Sequence, residues 1–167
     1  FYPLNIILFI KPFYLGWSLF IILQILLCAL FMFAYLRNLK LEKNAGVLGA
    51  LAFSFSGFVI SWFEWGNVVH TALWLPLILL AIDKTFEHFN GIVNSKYKIV
   101  KMHTKNKKLL IWFGILLFSS VSSFFAGHLQ IFFYVLIFSG AYIVFRWFKF
   151  GTKLKHLRLF IIYYLLF

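Results

Sequence analysis

A chain of 167 residues with 63% hydrophobic and only 12% charged side chains cannot cover a water-facing surface, since soluble domains carry about 25% charged residues. Together with a mean hydropathy of +0.94, this excludes the soluble globular class and makes the lipid bilayer the expected solvent and partner. The net charge of +12 does not point to nucleic acid, because the basic residues lie in short clusters between apolar runs rather than in one patch with polar partners.

The first ten residues lack the basic start and small-residue cleavage pattern of a signal peptide. The chain starts at Phe1 and stops within an apolar run, so it reads as an internal piece of a longer protein. Six apolar segments follow in order: 13–36, 46–62, 68–82, 109–125, 129–148 and an incomplete one at 157–167. About 20 apolar residues cross a bilayer as a helix, and a backbone in lipid must satisfy its hydrogen bonds internally. Strand-like alternation is missing, which argues against a β-barrel. The expected fold is therefore an all-α polytopic transmembrane bundle forming one domain fragment over 1–167.

Within these segments, Gln24 is expected to bond a neighbouring helix, and Cys28 to be a small buried hydrophobe. Gly46, Ala50, Ser54, Gly57 and Ser61 form a small-residue stripe suited to close helix approach. Pro76 predicts a kink or break in the third segment. "AGH" at 126–128 predicts a tight turn between the fourth and fifth, with Gly127 supplying backbone angles closed to other residues.

The connections assign sides. Arg37, Lys40 and Lys43 fall in 37–45, a run of lysines in 83–108, and further basic residues in or beside 149–156. All Lys and Arg except Lys11 thus lie in alternate connections or, like Arg146 and Arg158, at the segment ends that border them, the pattern of cytoplasmic loops. The Lys-rich 83–108 connection reads as a solvated loop, with attraction to anionic head groups as a second reading. The opposite face carries Glu64, Asn67, His70, His128 and Gln130, with Trp17, Trp62, Trp65 and Trp74 as interfacial anchors.

These five polar residues are the candidate substrate-binding set. Glu64, flanked by two Trp, suits an acid or base if the indoles desolvate it and is an ordinary loop residue if they do not. His128 and Gln130 open the helix after the turn, where free N–H groups favour anions. Two His and one Glu are compatible with a metal in principle, but no ligand spacing supports one. No motif names a reaction or a cofactor.

Four stretches taken together, "FYPLN" at 1–5, "GALAFSFSGF" at 49–58, "HTALWLPLILLAID" at 70–83 and "AGHLQIFFY" at 126–134, resemble the bacterial YfhO family of polytopic membrane proteins, similar in turn to GT-C membrane glycosyltransferases. The resemblance implies a larger enzyme in the bacterial cytoplasmic (inner) membrane. It would take a sugar from a polyprenyl-phosphate carrier and pass it to a cell-envelope polymer or glycolipid on the outer face. It also implies that the catalytic carboxylate lies upstream of Phe1, that this stretch alone is inactive, and that the full-length enzyme has room for a divalent metal. Two other readings stand beside it: a transporter or flippase of a lipid-linked substrate, and a non-catalytic assembly partner.

Overall fold

The computed structural model describes residues 2–93 and 99–150, and these are helical with short turns between. After a 3₁₀ turn at Pro3–Phe9 come α1 (Phe13–Asn38), α2 (Lys43–Ser54), α3 (Gly57–Ser61), a 3₁₀ turn at Phe63–Trp65, α4 (Val68–Ala72), α5 (Leu75–Val93), α6 (Ile99–Phe125) and α7 (Leu129–Phe150). Among the described residues five helical stretches are long and apolar enough to cross a membrane: Phe13–Asn38, Lys43–Ser61, Val68–Phe89, Lys107–Phe125 and Leu129–Lys149. The architecture is that of a multi-pass α-helical membrane protein. The sixth expected segment, 157–167, and most of the 149–156 connection lie outside the described residues.

Polarity is arranged inside out. The least apolar span, Val68–Phe89, is the central one, with 72% of its window buried against 22–28% for the other four. It packs on α6, α1 and α7, while α2 packs on α1. Its interior positions combine Leu73, Ile78, Ala81, Ile82 and Phe86 with the buried polar residues His70, Thr71, Asp83 and Thr85. A span facing lipid on all sides could not hold those groups, whereas one surrounded by helices can offer each a partner. The outer spans show the complement. Leu19, Ile22, Leu26 and Leu30 of α1 are exposed, as are Phe133, Ile137 and Phe138 of α7; these are the faces that lipid would cover.

Two spans are broken. The second is interrupted at Phe55 and Ser56, and Ser56 starts α3 by accepting a hydrogen bond from the Val59 N–H through its hydroxyl oxygen at 3.4 Å. The third is interrupted at Leu73 and Trp74. Pro76, in the first turn of α5, has no N–H to give to the carbonyl of Ala72, so the ladder cannot run through. Of the kink or break expected at Pro76, the structure shows a break into α4 and α5.

The small-residue stripe works over its first half only. A Cβ on Gly46 would come within 3.3 Å of the Phe33 ring and Ala50 is buried, while beside the stripe a Cβ on Gly49 would come within 2.5 Å of Leu36 Cδ1, so α2 lies tight against α1 here. Gly57 has open space around it, and Ser61 is exposed, because the break rotates α3 out of register with the stripe. The Ser54 hydroxyl bonds the Leu51 carbonyl of its own helix rather than reaching across.

The connection read from sequence as a loop over 83–108 is largely helical where it is described. α5 runs on to Val93, and α6 begins at Ile99. Charged residues end an apolar segment without ending a helix, since a helix leaving the hydrocarbon satisfies its own backbone equally well in water.

Candidate functional site

Of the five candidate residues, His70 lies deepest, with no exposed surface. Its Nδ1 lies 2.7 Å from the Tyr2 hydroxyl, and its Nε2 lies 3.1 Å from the Phe20 carbonyl. The Trp74 indole N–H in turn donates to the Tyr2 oxygen at 3.3 Å. Phe20 O can only accept, so Nε2 carries the proton, and Tyr2 donates to Nδ1. One directed chain results: Trp74 to Tyr2, Tyr2 to His70, His70 to Phe20. The imidazole stacks on Phe20 with ring centroids 4.0 Å apart and meets the Tyr2 ring edge-on at 5.2 Å. Burial holds the Tyr2 hydroxyl well above the ordinary tyrosine range, so it stays protonated. Both ring nitrogens of His70 are therefore committed, and this residue is a keystone joining the N-terminal segment, α1 and the broken span.

Glu64 is exposed within its 3₁₀ turn. The neighbouring Trp62 and Trp65 are themselves 43% and 62% exposed, so the indoles do not wall the carboxylate off from solvent. Asn67 precedes α4, and its carbonyl rather than its side chain is engaged, accepting from the Thr71 N–H and hydroxyl. None of the five residues forms a hydrogen bond with another. Among the described residues no group of three or more His, Cys, Asp or Glu is placed to hold a metal ion.

The "AGH" turn has the expected form. α6 ends at Phe125, Gly127 adopts φ +97°, and α7 starts at Leu129. His128 is the N-cap of α7: its Nδ1 accepts from the Ile131 N–H at 3.3 Å, taking one of the donors that a helix start leaves unpaired. Nε2 makes no hydrogen bond among the described residues. Gln130 is exposed and donates to the Tyr134 hydroxyl one turn along at 2.9 Å.

That bond leads to a feature the sequence reading missed. Tyr134, Ile131, Val135 and Phe138 on α7 form one wall of a cavity of about 350 Å³. Phe53, Phe58 and Val59 wall it from the broken second span, Ala72 and Leu75 from the broken third, and Cys28 from α1. Residues flanking both breaks thus line this space. Its lining is apolar apart from one thiol and one phenol, and the exposed faces of Phe58, Tyr134 and Phe138 set its mouth on the lipid-facing flank. Gln130, through Tyr134, and His128, through Ile131, stand at the end of the groove nearest the start of α7. The signals for it in the sequence were Pro76 and the "SFSG" stretch, each of which marks a break but not that the two face each other.

Comparison with family models, with curated proteins and with solved structures gave no match to this chain.

Proposed function

We propose that the chain is the lipid-holding part of a membrane glycosyltransferase of the YfhO and GT-C kind, which transfers a sugar from a polyprenyl-phosphate carrier to an envelope polymer or glycolipid at the outer face of the bacterial cytoplasmic membrane. The observation that carries this reading is the apolar groove between the two broken spans, open to lipid along α7 and edged by Gln130 and His128 at the helix start. An isoprenoid chain suits such walls. Its phosphate would meet the free N–H groups of α7, where the helix dipole favours negative charge, with His128 Nε2 as a further donor. Gln130 would face the sugar. The ordered resemblance of four stretches to the family supports the same reading, and the carboxylate base would come from upstream of Phe1.

A second reading, a flippase for a lipid-linked substrate, is favoured by the broken spans themselves, which in transporters line the substrate path. The test uses a polyprenyl phosphate with a photoreactive chain, added to vesicles containing the protein. It should label Ile131, Tyr134 and Phe138. Filling the groove with Val135→Trp should lower labelling about tenfold, equivalent to roughly 1.4 kcal/mol of binding. Equal labelling in that variant, or equal labelling by a phosphatidylglycerol probe, would remove the lipid-carrier reading. Movement of the lipid across the bilayer by the parent-length protein, without sugar transfer, would decide for the flippase.

A further inference from the structure

Three of the helices that wall the groove carry a second polar cluster nearer the basic end of the bundle. On α7, Tyr142 follows Phe138 by one turn and Arg146 by two; on α5, Asp83 follows Leu75; on α1, Tyr35 follows Cys28. At about 1.5 Å per residue the cluster lies roughly 6–15 Å along each helix from the groove, Asn38 being the farthest along α1. Its centre is the Asp83 carboxylate, which has no exposed surface. Oδ2 accepts from the Asn38 amide at 3.0 Å, Oδ1 accepts from the Tyr142 hydroxyl at 2.9 Å, and Arg146 Nε stands 2.6 Å from Oδ1. Tyr35 donates to Tyr142 at 3.1 Å. One carboxylate on α5 thus gathers donors from α1 on one side and α7 on the other.

Charged side chains buried in a spanning helix are expensive, and where they occur they mark function or fix an arrangement. This pair does not line the groove, so it does not touch a lipid chain there. Its partners lie on two of the helices whose separation from α5 sets how wide the groove stands. We propose that Asp83, with Arg146, Tyr142 and Asn38, is a positioning cluster that fixes the spacing of α1 and α7 about α5 and so sets the width of the groove. Its value for holding a polyprenyl chain rests on the function proposed above, whereas the positioning itself does not.

The test has a built-in reporter. Cys28 is the chain's single cysteine; it lines the groove and is 1% exposed, so its alkylation by N-ethylmaleimide reads opening of the groove with no ligand present. Asp83→Ala should raise that rate at least about tenfold, the equivalent of roughly 1.4 kcal/mol in the opening equilibrium. Asp83→Arg alone should do the same. Pairing it with Arg146→Asp should return the rate to near the parent value, since Asn38 and Tyr142 can each accept from an arginine as readily as they donate to a carboxylate. Should the charged variants fail to fold, Tyr142→Phe and Asn38→Ala each remove one donor and should raise the rate severalfold. Leu116→Ala, a cavity in α6 away from the groove, controls for general loosening. An unchanged Cys28 rate in Asp83→Ala and Tyr142→Phe, or an equal rise in Leu116→Ala, would overturn the proposal. Failed lipid labelling with a responsive Cys28 would count against the proposed function and leave the positioning cluster standing.

Discussion

Tyr2→Phe tests the hydrogen-bonded chain at the far end of the bundle with the removal of a single atom. Phenylalanine keeps the ring and its edge-on contacts with Phe20, His70 and Trp74, so packing is conserved. His70 Nδ1 loses its donor and Trp74 Nε1 its acceptor, both at buried positions. An orphaned buried group costs about 1–3 kcal/mol, but hydrogen-bond couplings measured in membrane proteins average only about 0.6 and reach about 1.7 kcal/mol. The 2.7 Å Tyr2–His70 bond deserves the upper part of that range, and the 3.3 Å Trp74 bond, beyond the usual N–H···O distance, the lower part. The expected loss is therefore about 2 kcal/mol, read by reversible unfolding in mixed micelles titrated with SDS. Tyr2→Ala should lose about 3–5 kcal/mol through the missing ring in addition. The pH dependence has a defined sign. Burial raises the Tyr2 pKa in the folded state, so its contribution is complete below the unfolded value of about 10 and declines as pH rises beyond it, because only the unfolded chain then ionises. Tyr2→Phe should remove that part of the alkaline slope. A stability within about 0.5 kcal/mol of the parent, well below the orphan penalty, would mean that the chain from Trp74 to Phe20 is not formed.

Two further outcomes follow from the ends of the helices. In a Cys28→Ala background, cysteines at the exposed Glu64 and Gln130 positions should react with a membrane-impermeant thiol reagent in intact cells, and cysteines at Lys43, Lys84 and Lys149 only after permeabilisation; labelling at Lys43 without permeabilisation would reverse the orientation. Gly127→Val should cost about 1–3 kcal/mol, the range for a side chain forced into a positive-φ conformation, although a Cβ there would meet no neighbour; Gly57→Ala, with equally open space and no positive φ, should be near neutral, and equal effects at the two positions would show that the turn does not depend on φ.

Helix positions were largely legible in the sequence, and neighbours were not. The segment expected over 13–36 is α1 at Phe13–Asn38, the one over 129–148 is α7 at Leu129–Phe150, and the turn between α6 and α7 lies at Gly127 as expected. Hydropathy marks these because it responds to lipid, a surrounding common to every span. His70 and Asp83 were beyond its reach. His70 looks like an interfacial ligand until Tyr2, 68 positions earlier, closes over it. Asp83 looks like the first residue of a polar loop, since a carboxylate at the edge of an apolar run suggests water. Its donors come from α1 and α7, and only their positions in space show that the helix carries it inward. The one available hint was Arg146, a second charge placed at the edge of another apolar run.

The groove persists for a reason that connects these features. Small side chains, Cys28, Val59 and Ala72, face it where α1 and the two breaks converge, while Phe53, Phe58, Tyr134 and Phe138 contribute the larger lining groups. Helices in a well-packed bundle would close such a gap, because lining atoms without partners lose their dispersion contacts. Here closure would require α1, the broken third span and α7 to slide together, and polar knots fix their spacing on either side, against spreading apart as much as against sliding in. Toward the far end Tyr2, His70 and Trp74 fix the 3₁₀ segment, α1 and the third span, and toward the basic end Asp83 gathers Asn38 and Tyr142. Shifting any of these helices breaks a buried hydrogen bond for which lipid offers no substitute. On the proposed function, a space opening onto the bilayer between fixed walls takes its occupant from the bilayer, and the chain it would retain is the one whose head group also finds a partner at the start of α7.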